Sequence, residues 1–221
     1  MNVLILGATG MVGQAVLREC LLDDAVARVV TLGRTQIAQG HRKLLHIVHA
    51  DLFALDAVER QLTDLDACFF CLGVSAVGMS EADYTRVTYD LTLSVATVLA
   101  RLDPGMTFVY VSGTGTDSSE RGRTMWARVK GRTENALLRL PFKSAYMLRP
   151  GMIVPMHGIK SRTFWYRALY SLLSPVTPLL GRLFPRYVTT SERVGRTMLR
   201  LARSGYRVPV LENRDIDEIG R

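Results

Sequence analysis

MNVLILGATGMVG, residues 1–13, sets the architecture of the whole chain. The apolar run Val3-Leu4-Ile5-Leu6 reads as a buried strand. It ends in three glycines, Gly7, Gly10 and Gly13, behind which Val12, Val16 and Cys20 recur at helical spacing. A strand, a glycine turn and a helix in this order hold a dinucleotide diphosphate. Gly7 permits the tight turn, Gly10 lets backbone approach the phosphates, and Gly13 lets the helix pack on the strand. Thr9 lies within the turn, and the N–H groups of Met11 and Val12 open the helix towards the anion.

The rest of the chain repeats that alternation. Apolar, β-branched runs predict strands over residues 3–6, 28–32, 44–49, 67–72, 107–111 and 145–148, and residues 208–211 can add a last one. Helical patterns fall at 11–22, 54–62, 81–101 and 124–140. The expected fold is α/β: a doubly wound parallel sheet, a Rossmann fold of six to seven strands with the first strand central, and a small C-terminal helical lobe. With 221 residues, 48% hydrophobic and 22% charged, the chain suits one nucleotide-binding domain over 1–221, with a substrate-side lobe at 152–207. Within that lobe a capping box, Thr189-x-x-Glu192, starts a helix that stops at Gly205.

Composition narrows the function. A net charge of +8 asks for a negative partner, which a dinucleotide satisfies; scattered arginines without a reading motif argue against specific nucleic-acid binding. Three cysteines make no disulfide framework, and Cys68 and Cys71 sit on a strand that turns their sulfurs to opposite faces. Four histidines without ligand spacing predict no metal. No targeting signal is legible, giving a cytoplasmic expectation. The uncharged stretch 168–181 contains Pro175 and Pro178 and is too short and broken for a transmembrane segment. It closes over the substrate cleft, forms a homo-oligomer contact, or makes peripheral membrane contact through Arg162, Arg167, Arg182 and Arg186.

The nucleotide is read at the end of the second strand. Where an NAD site would place an acid against the ribose, this chain has Thr31-Leu32-Gly33-Arg34. Arg34 can grip a 2′-phosphate, and no carboxylate repels it, so NADP(H) is preferred over NAD(H). Strand ends then put Asp51 and Leu52 near the adenine, Leu72 and Gly73 near its ribose, and Ser112 near the nicotinamide.

In order and spacing, GATGMVG, Arg34, Asp51-Leu52, Cys71-Leu72-Gly73, Val111-Ser112-Gly113, Lys130-Gly131 with Glu134, and Arg149-Pro150-Gly151 resemble the short-chain dehydrogenase/reductase superfamily. The likeness is to its short atypical members, akin to epimerase/dehydratase-like proteins. The resemblance implies that Ser112 orients a carbonyl and that Lys130 binds the nicotinamide ribose, with Pro150 and Gly151 shaping the turn beside the ring. It also implies a tyrosine four residues before the lysine, where this chain has Trp126. An indole N–H donates a hydrogen bond but shuttles no proton near neutrality. Losing a positioned general acid forfeits about 10²- to 10⁴-fold in rate.

Substitute proton sources are Tyr84, Thr114 and a water held by Ser112. Trp126 also fits a core stripe with Val129, Thr133 and Leu137, and Ser112 fits a strand-end backbone cap. Two functions stay open. One is an NADPH-dependent oxidoreductase on a small carbonyl substrate; the other is a non-catalytic NADP(H)-binding regulator that reports occupancy through a mobile 113–123 loop and the C-terminal lobe.

Overall fold

A computed structural model of the chain describes residues 1–159 and 187–221. Its elements are β1 (Asn2–Leu6), α1 (Met11–Leu22), β2 (Arg28–Gly33), β3 (Leu44–Val48), β4 (Ala67–Phe70), α2 (Glu81–Thr85), a π-helical turn (Arg86–Asp90), α3 (Leu91–Leu102) and β5 (Thr107–Val111). There follow α4 (Met125–Leu137), β6 (Ser144–Arg149), β7 (Met152–Val154), β8 (Val188–Thr190), α5 (Ser191–Ser204), β9 (Val210–Glu212) and α6 (Asn213–Ile219).

Seven strands form one parallel sheet in the order β3-β2-β1-β4-β5-β6-β9, as the doubly wound reading expects. The chain reverses direction across the sheet between β1 and β4, which opens a crevice at their carboxyl ends. Strand alternation divides the core into two layers. Val3, Ile5, Val29, Phe69 and Val109 pack with α1 and α5; Leu4, Leu6, Val30, Phe70 and Tyr110 pack with α3 and α4. Cys68 lies in the second layer and Cys71 against the first, so their sulfurs do face opposite ways.

Three elements differ from the sequence reading. Residues 54–62 form no α-helix, only a 3₁₀ turn at Glu59–Gln61. The buried side chains there, Leu55, Val58 and Leu62, keep a spacing that an α-helix would also show, but the backbone bonds Val58 N to Leu55 O, Gln61 N to Val58 O and Leu62 N to Glu59 O each span three residues, the tighter repeat. Helix α5 is capped by Thr190, whose hydroxyl accepts from Arg193 N at 3.1 Å, not by Thr189. Thr189 is held instead in β8, paired in register with Ile153 of β7, a two-stranded ribbon that the sequence did not announce. The helical span beginning at Glu81 contains the π turn, where Thr92 Oγ1 donates to Thr88 O at 2.6 Å.

Helix α5 joins the same face as α1, burying Val194, Met198 and Leu201 in the layer that covers β1. The apolar stretch 168–181 and its flanking arginines lie outside the described residues. Among the described residues no helix is long and apolar enough to cross a membrane.

Candidate functional site

The glycine turn is built as the spacing requires. Gly7 adopts φ +81°, and a Cβ there would sit 2.7 Å from the Cys71 carbonyl carbon. A Cβ on Gly13 would overlap the Gly7 carbonyl oxygen, because α1 runs directly over the turn. Gly10 differs from both: a Cβ on it would meet only Gly7 O, at 3.3 Å, and otherwise project into open space. Gln14 Nε2 donates to Thr9 O at 3.0 Å and fixes the turn. Gly10 is the N-cap of α1 and makes no side-chain capping bond, and no acidic residue stands in the first turn. The N–H groups of Met11 and Val12 therefore face the open space without a protein anion, which fits a diphosphate.

Beside the turn lies a cavity of about 100 Å³ lined by Thr9, Thr31, Gly33, Arg34, His46, Leu52 and Leu72 among others, with no carboxylate in its wall. Arg34 is exposed at its rim and, among the described residues, makes no hydrogen bond or ion pair. Asp51 is drawn away from this wall into a local turn, its Oδ1 accepting from Phe53 N at 2.9 Å. Gly73 has open space where a Cβ would be. Pro150 and Gly151 act through backbone: Thr114 N donates to Pro150 O, and Gly151 N donates to Asn213 Oδ1 at 2.8 Å.

At the far end of the crevice Ser112 is buried, its Oγ 3.0 Å from Thr116 Oγ1. Thr116 Oγ1 in turn donates to Gly113 O at 2.8 Å, so Ser112 is the donor of the pair. Trp126 is half-buried and stands outside the stripe of Val129, Thr133 and Leu137, all three of which are buried. Its ring tip reaches 3.5 Å from where a Gly115 Cβ would be, so it roofs the 113–116 turn rather than filling the core.

Lys130 is half-buried one helical turn on, with Nζ 5.4 Å from the Tyr110 ring centroid. Among the described residues it has no hydrogen-bond or ion-pair partner. Burial pushes its pKa down to about 8, against the opposing pull of the Glu134 charge. In the folded apo protein the charged amine is thus disfavoured, a cost present at neutral pH and relieved as pH rises through 8 towards the unfolded value. Lys130→Met is expected to raise the apo melting temperature at pH 7, with the gain shrinking between pH 8 and 10; thermal melts across that range check it.

The other proton sources are less well placed. Tyr84 is 2% exposed, and burial raises its pKa against a hydrogen bond from Thr88. The Thr114 hydroxyl donates to Arg149 O at 3.0 Å. Burial pushes the pKa of all three thiols up, which disfavours the thiolate.

Arg149 holds the walls of the site together, a role that the sequence left open. Its guanidinium binds the 1%-exposed carboxylate of Glu134 on α4 through Nε (3.0 Å) and Nη2 (2.5 Å), Glu212 through Nη1 (3.1 Å) and Ser118 Oγ through Nη2 (2.5 Å). Asn135 Nδ2 also bonds Ser118 O and Glu120, and Asp117 accepts from Ser119 and Gly122. The 113–123 loop is thereby fastened to α4, which removes support for a signal carried by its motion.

Elsewhere the fold gathers His157, Glu19 and Glu192 with their ligating atoms within 4.8 Å, although the sequence showed no ligand spacing. Arg18 bonds Glu19 at 2.5 Å and Arg196 bonds both glutamates, the arrangement of an ion-pair cluster.

Residues 3–123 match the model of the NAD dependent epimerase/dehydratase family. The chain belongs to that family. "Protein fmp52, mitochondrial" of Emericella nidulans is 33% identical over 69% of this chain, and the match spans 66% of that relative. "Protein FMP52, mitochondrial" of Eremothecium gossypii is 28% identical over 98% of this chain and 96% of its own length. Among solved structures, UDP-glucuronic acid 4-epimerase from Bacillus cereus in complex with NAD covers 96% of this chain and is covered over 76% of its own, with TM-score 0.69 and 12% identity. A short-chain dehydrogenase family protein from Francisella tularensis covers 96% and is covered over 95%, with TM-score 0.67 and 16% identity. These likenesses confirm the short-chain dehydrogenase-like Rossmann fold, and family and fold together support a nicotinamide cofactor. They overturn the cytoplasmic expectation, because relatives aligned along most of the chain are named as mitochondrial proteins. A search for an amino-terminal leader reads only one route to a compartment.

Proposed function

We propose that the chain binds NADP(H) in preference to NAD(H) and reduces a small carbonyl compound slowly, with Lys130 supplying the proton in place of the absent tyrosine. The observation that carries this reading is the Lys130 ammonium, with no hydrogen bond or ion pair among the described residues and a pKa pushed down to about 8, lying over the Tyr110 ring near the end of β5 and one helical turn after Trp126. A carboxylate-free cavity with Arg34 free at its rim supports the phosphorylated cofactor.

When bound, the reduced cofactor supplies a hydride to the carbonyl carbon. Ser112 turns its hydroxyl from Thr116 to the carbonyl oxygen, and Lys130 Nζ, which also holds the ribose, gives that oxygen its proton and recovers one from water. The lobe at 152–207 selects the substrate.

NADPH consumption with a panel of aldehydes and ketones tests the reading. Turnover is expected to fall as pH rises past about 8, where Nζ loses its proton. Lys130→Arg keeps a cation for the ribose but yields no proton, so it should bind NADPH and turn over far less. Trp126→Tyr restores a phenol and is expected to raise the rate by about 10²-fold or more.

A second reading, binding without turnover, is favoured by the Ser112 proton being engaged with Thr116. Turnover by Trp126→Tyr and none by the wild type would establish it. Turnover by the wild type that does not change across pH 7 to 9 would exclude Lys130 as the donor.

A further inference from the structure

We propose that His46 is a positioning residue for the 2′-phosphate end of the cofactor, holding the 33–35 turn so that Arg34 meets the phosphate in a preset place. This rests on the NADP(H) reading above.

His46 lies on β3 opposite Thr31 of β2, in register across the parallel pair. Its ring bridges two points of the cavity wall: Nδ1 is 2.6 Å from Thr31 Oγ1, and Nε2 is 3.0 Å from Thr35 O. A carbonyl oxygen only accepts, so Nε2 carries the hydrogen and, in the neutral ring, Nδ1 accepts from the buried Thr31 hydroxyl. The ring therefore fastens an exposed loop residue, Thr35, to a side chain fixed inside the sheet.

Arg34 is the residue between Gly33, whose carbonyl takes His49 N at 2.9 Å, and the Thr35 carbonyl that His46 holds. Both flanks of Arg34 are tied, to His46 in β3 and to His49 just beyond it, while its own guanidinium makes no hydrogen bond or ion pair among the described residues. Grip on a phosphate costs the ordering of a long side chain and of the backbone that carries it. Fixing that backbone beforehand removes part of the cost, and it does so only for a ligand that Arg34 touches. An NAD(H) molecule, which lacks the 2′-phosphate, gains nothing from the tie.

The test measures NADPH and NADH dissociation constants on the whole chain, for wild type and three variants. His46→Leu removes both bonds and is expected to weaken NADPH by about 5- to 10-fold, the size of one or two net hydrogen bonds, with NADH changed less than about twofold. His46→Gln places an amide N–H where Nε2–H stood and should keep most of the preference. His46→Asn reaches only Thr31 and should lose it.

Equal weakening of both cofactors, or an unchanged NADPH constant in His46→Leu, overturns the proposal while the NADP(H) reading stands. A wild type that binds the two cofactors equally overturns the NADP(H) reading and this inference with it. If His46→Leu does not fold, the contrast between His46→Gln and His46→Asn decides alone.

Discussion

Gly10→Ala is expected to leave the fold intact and remove cofactor binding. Gly10 has φ −80° and ψ 165°, which any residue adopts, and the new methyl group meets protein only at Gly7 O, 3.3 Å away. The thermal midpoint should barely move, since changes at such sites stay within about 0.5 kcal/mol. The methyl group does enter the space in front of the Met11 and Val12 N–H groups, where the diphosphate must lie. Hydrogen bonds to a charged group contribute about 1.5–3 kcal/mol each, so losing one weakens binding by about 10- to 100-fold and losing two by about 100-fold or more. Calorimetric titration with NADPH measures it. Binding within tenfold of wild type would mean that the turn does not hold the diphosphate. Gly13→Ala offers the contrast, because its Cβ overlaps the Gly7 carbonyl and α1 must shift, costing stability as well as binding.

Arg149→Leu is expected to destabilise the protein by about 3–5 kcal/mol, because it leaves the Glu134 carboxylate buried without its cation. Lys130, which feels the Glu134 charge, is itself held at a lowered pKa. The change also frees Ser118 and Glu212, so the loop after β5 and the start of α6 lose their common anchor. Urea denaturation should show the full loss in midpoint. The double variant Arg149→Leu with Glu134→Leu should recover a large part of it, since two matched apolar groups leave no charge unpaired. A single-variant loss under about 1 kcal/mol would place the network among ordinary surface pairs.

The two charged groups of the crevice bear on stability in opposite senses. Arg149 is paired with Glu134 and Glu212 and holds the walls, whereas burial holds the Lys130 pKa down and costs stability at neutral pH.

The doubly wound sheet with its first strand central, the glycine turn and the lack of an acid beside Arg34 were all legible from the sequence. Each depends on local facts: β-branched runs make strands, three spaced glycines make one kind of turn, and an acid is either present or missing at a strand end. Residues 54–62 misled because the spacing of Leu55, Val58 and Leu62 suits an α-helix as well as a series of three-residue turns packed on the sheet. Thr190, not Thr189, caps α5 because pairing with Ile153 holds the earlier threonine in a strand, and pairing is a property of distant chain.

Everything that separates residues far along the chain was decided only in three dimensions. Trp126 left the core stripe and became a roof for the 113–116 turn once α4 lay against that loop. Arg149 found Glu134, Glu212 and Ser118, and His46 found Thr31 and Thr35, across strand ends that share no sequence signal. The physical reason is range. Backbone preference and side-chain period act over a few residues, whereas burial, ion pairing and the shift of a lysine pKa depend on which surfaces the sheet brings together.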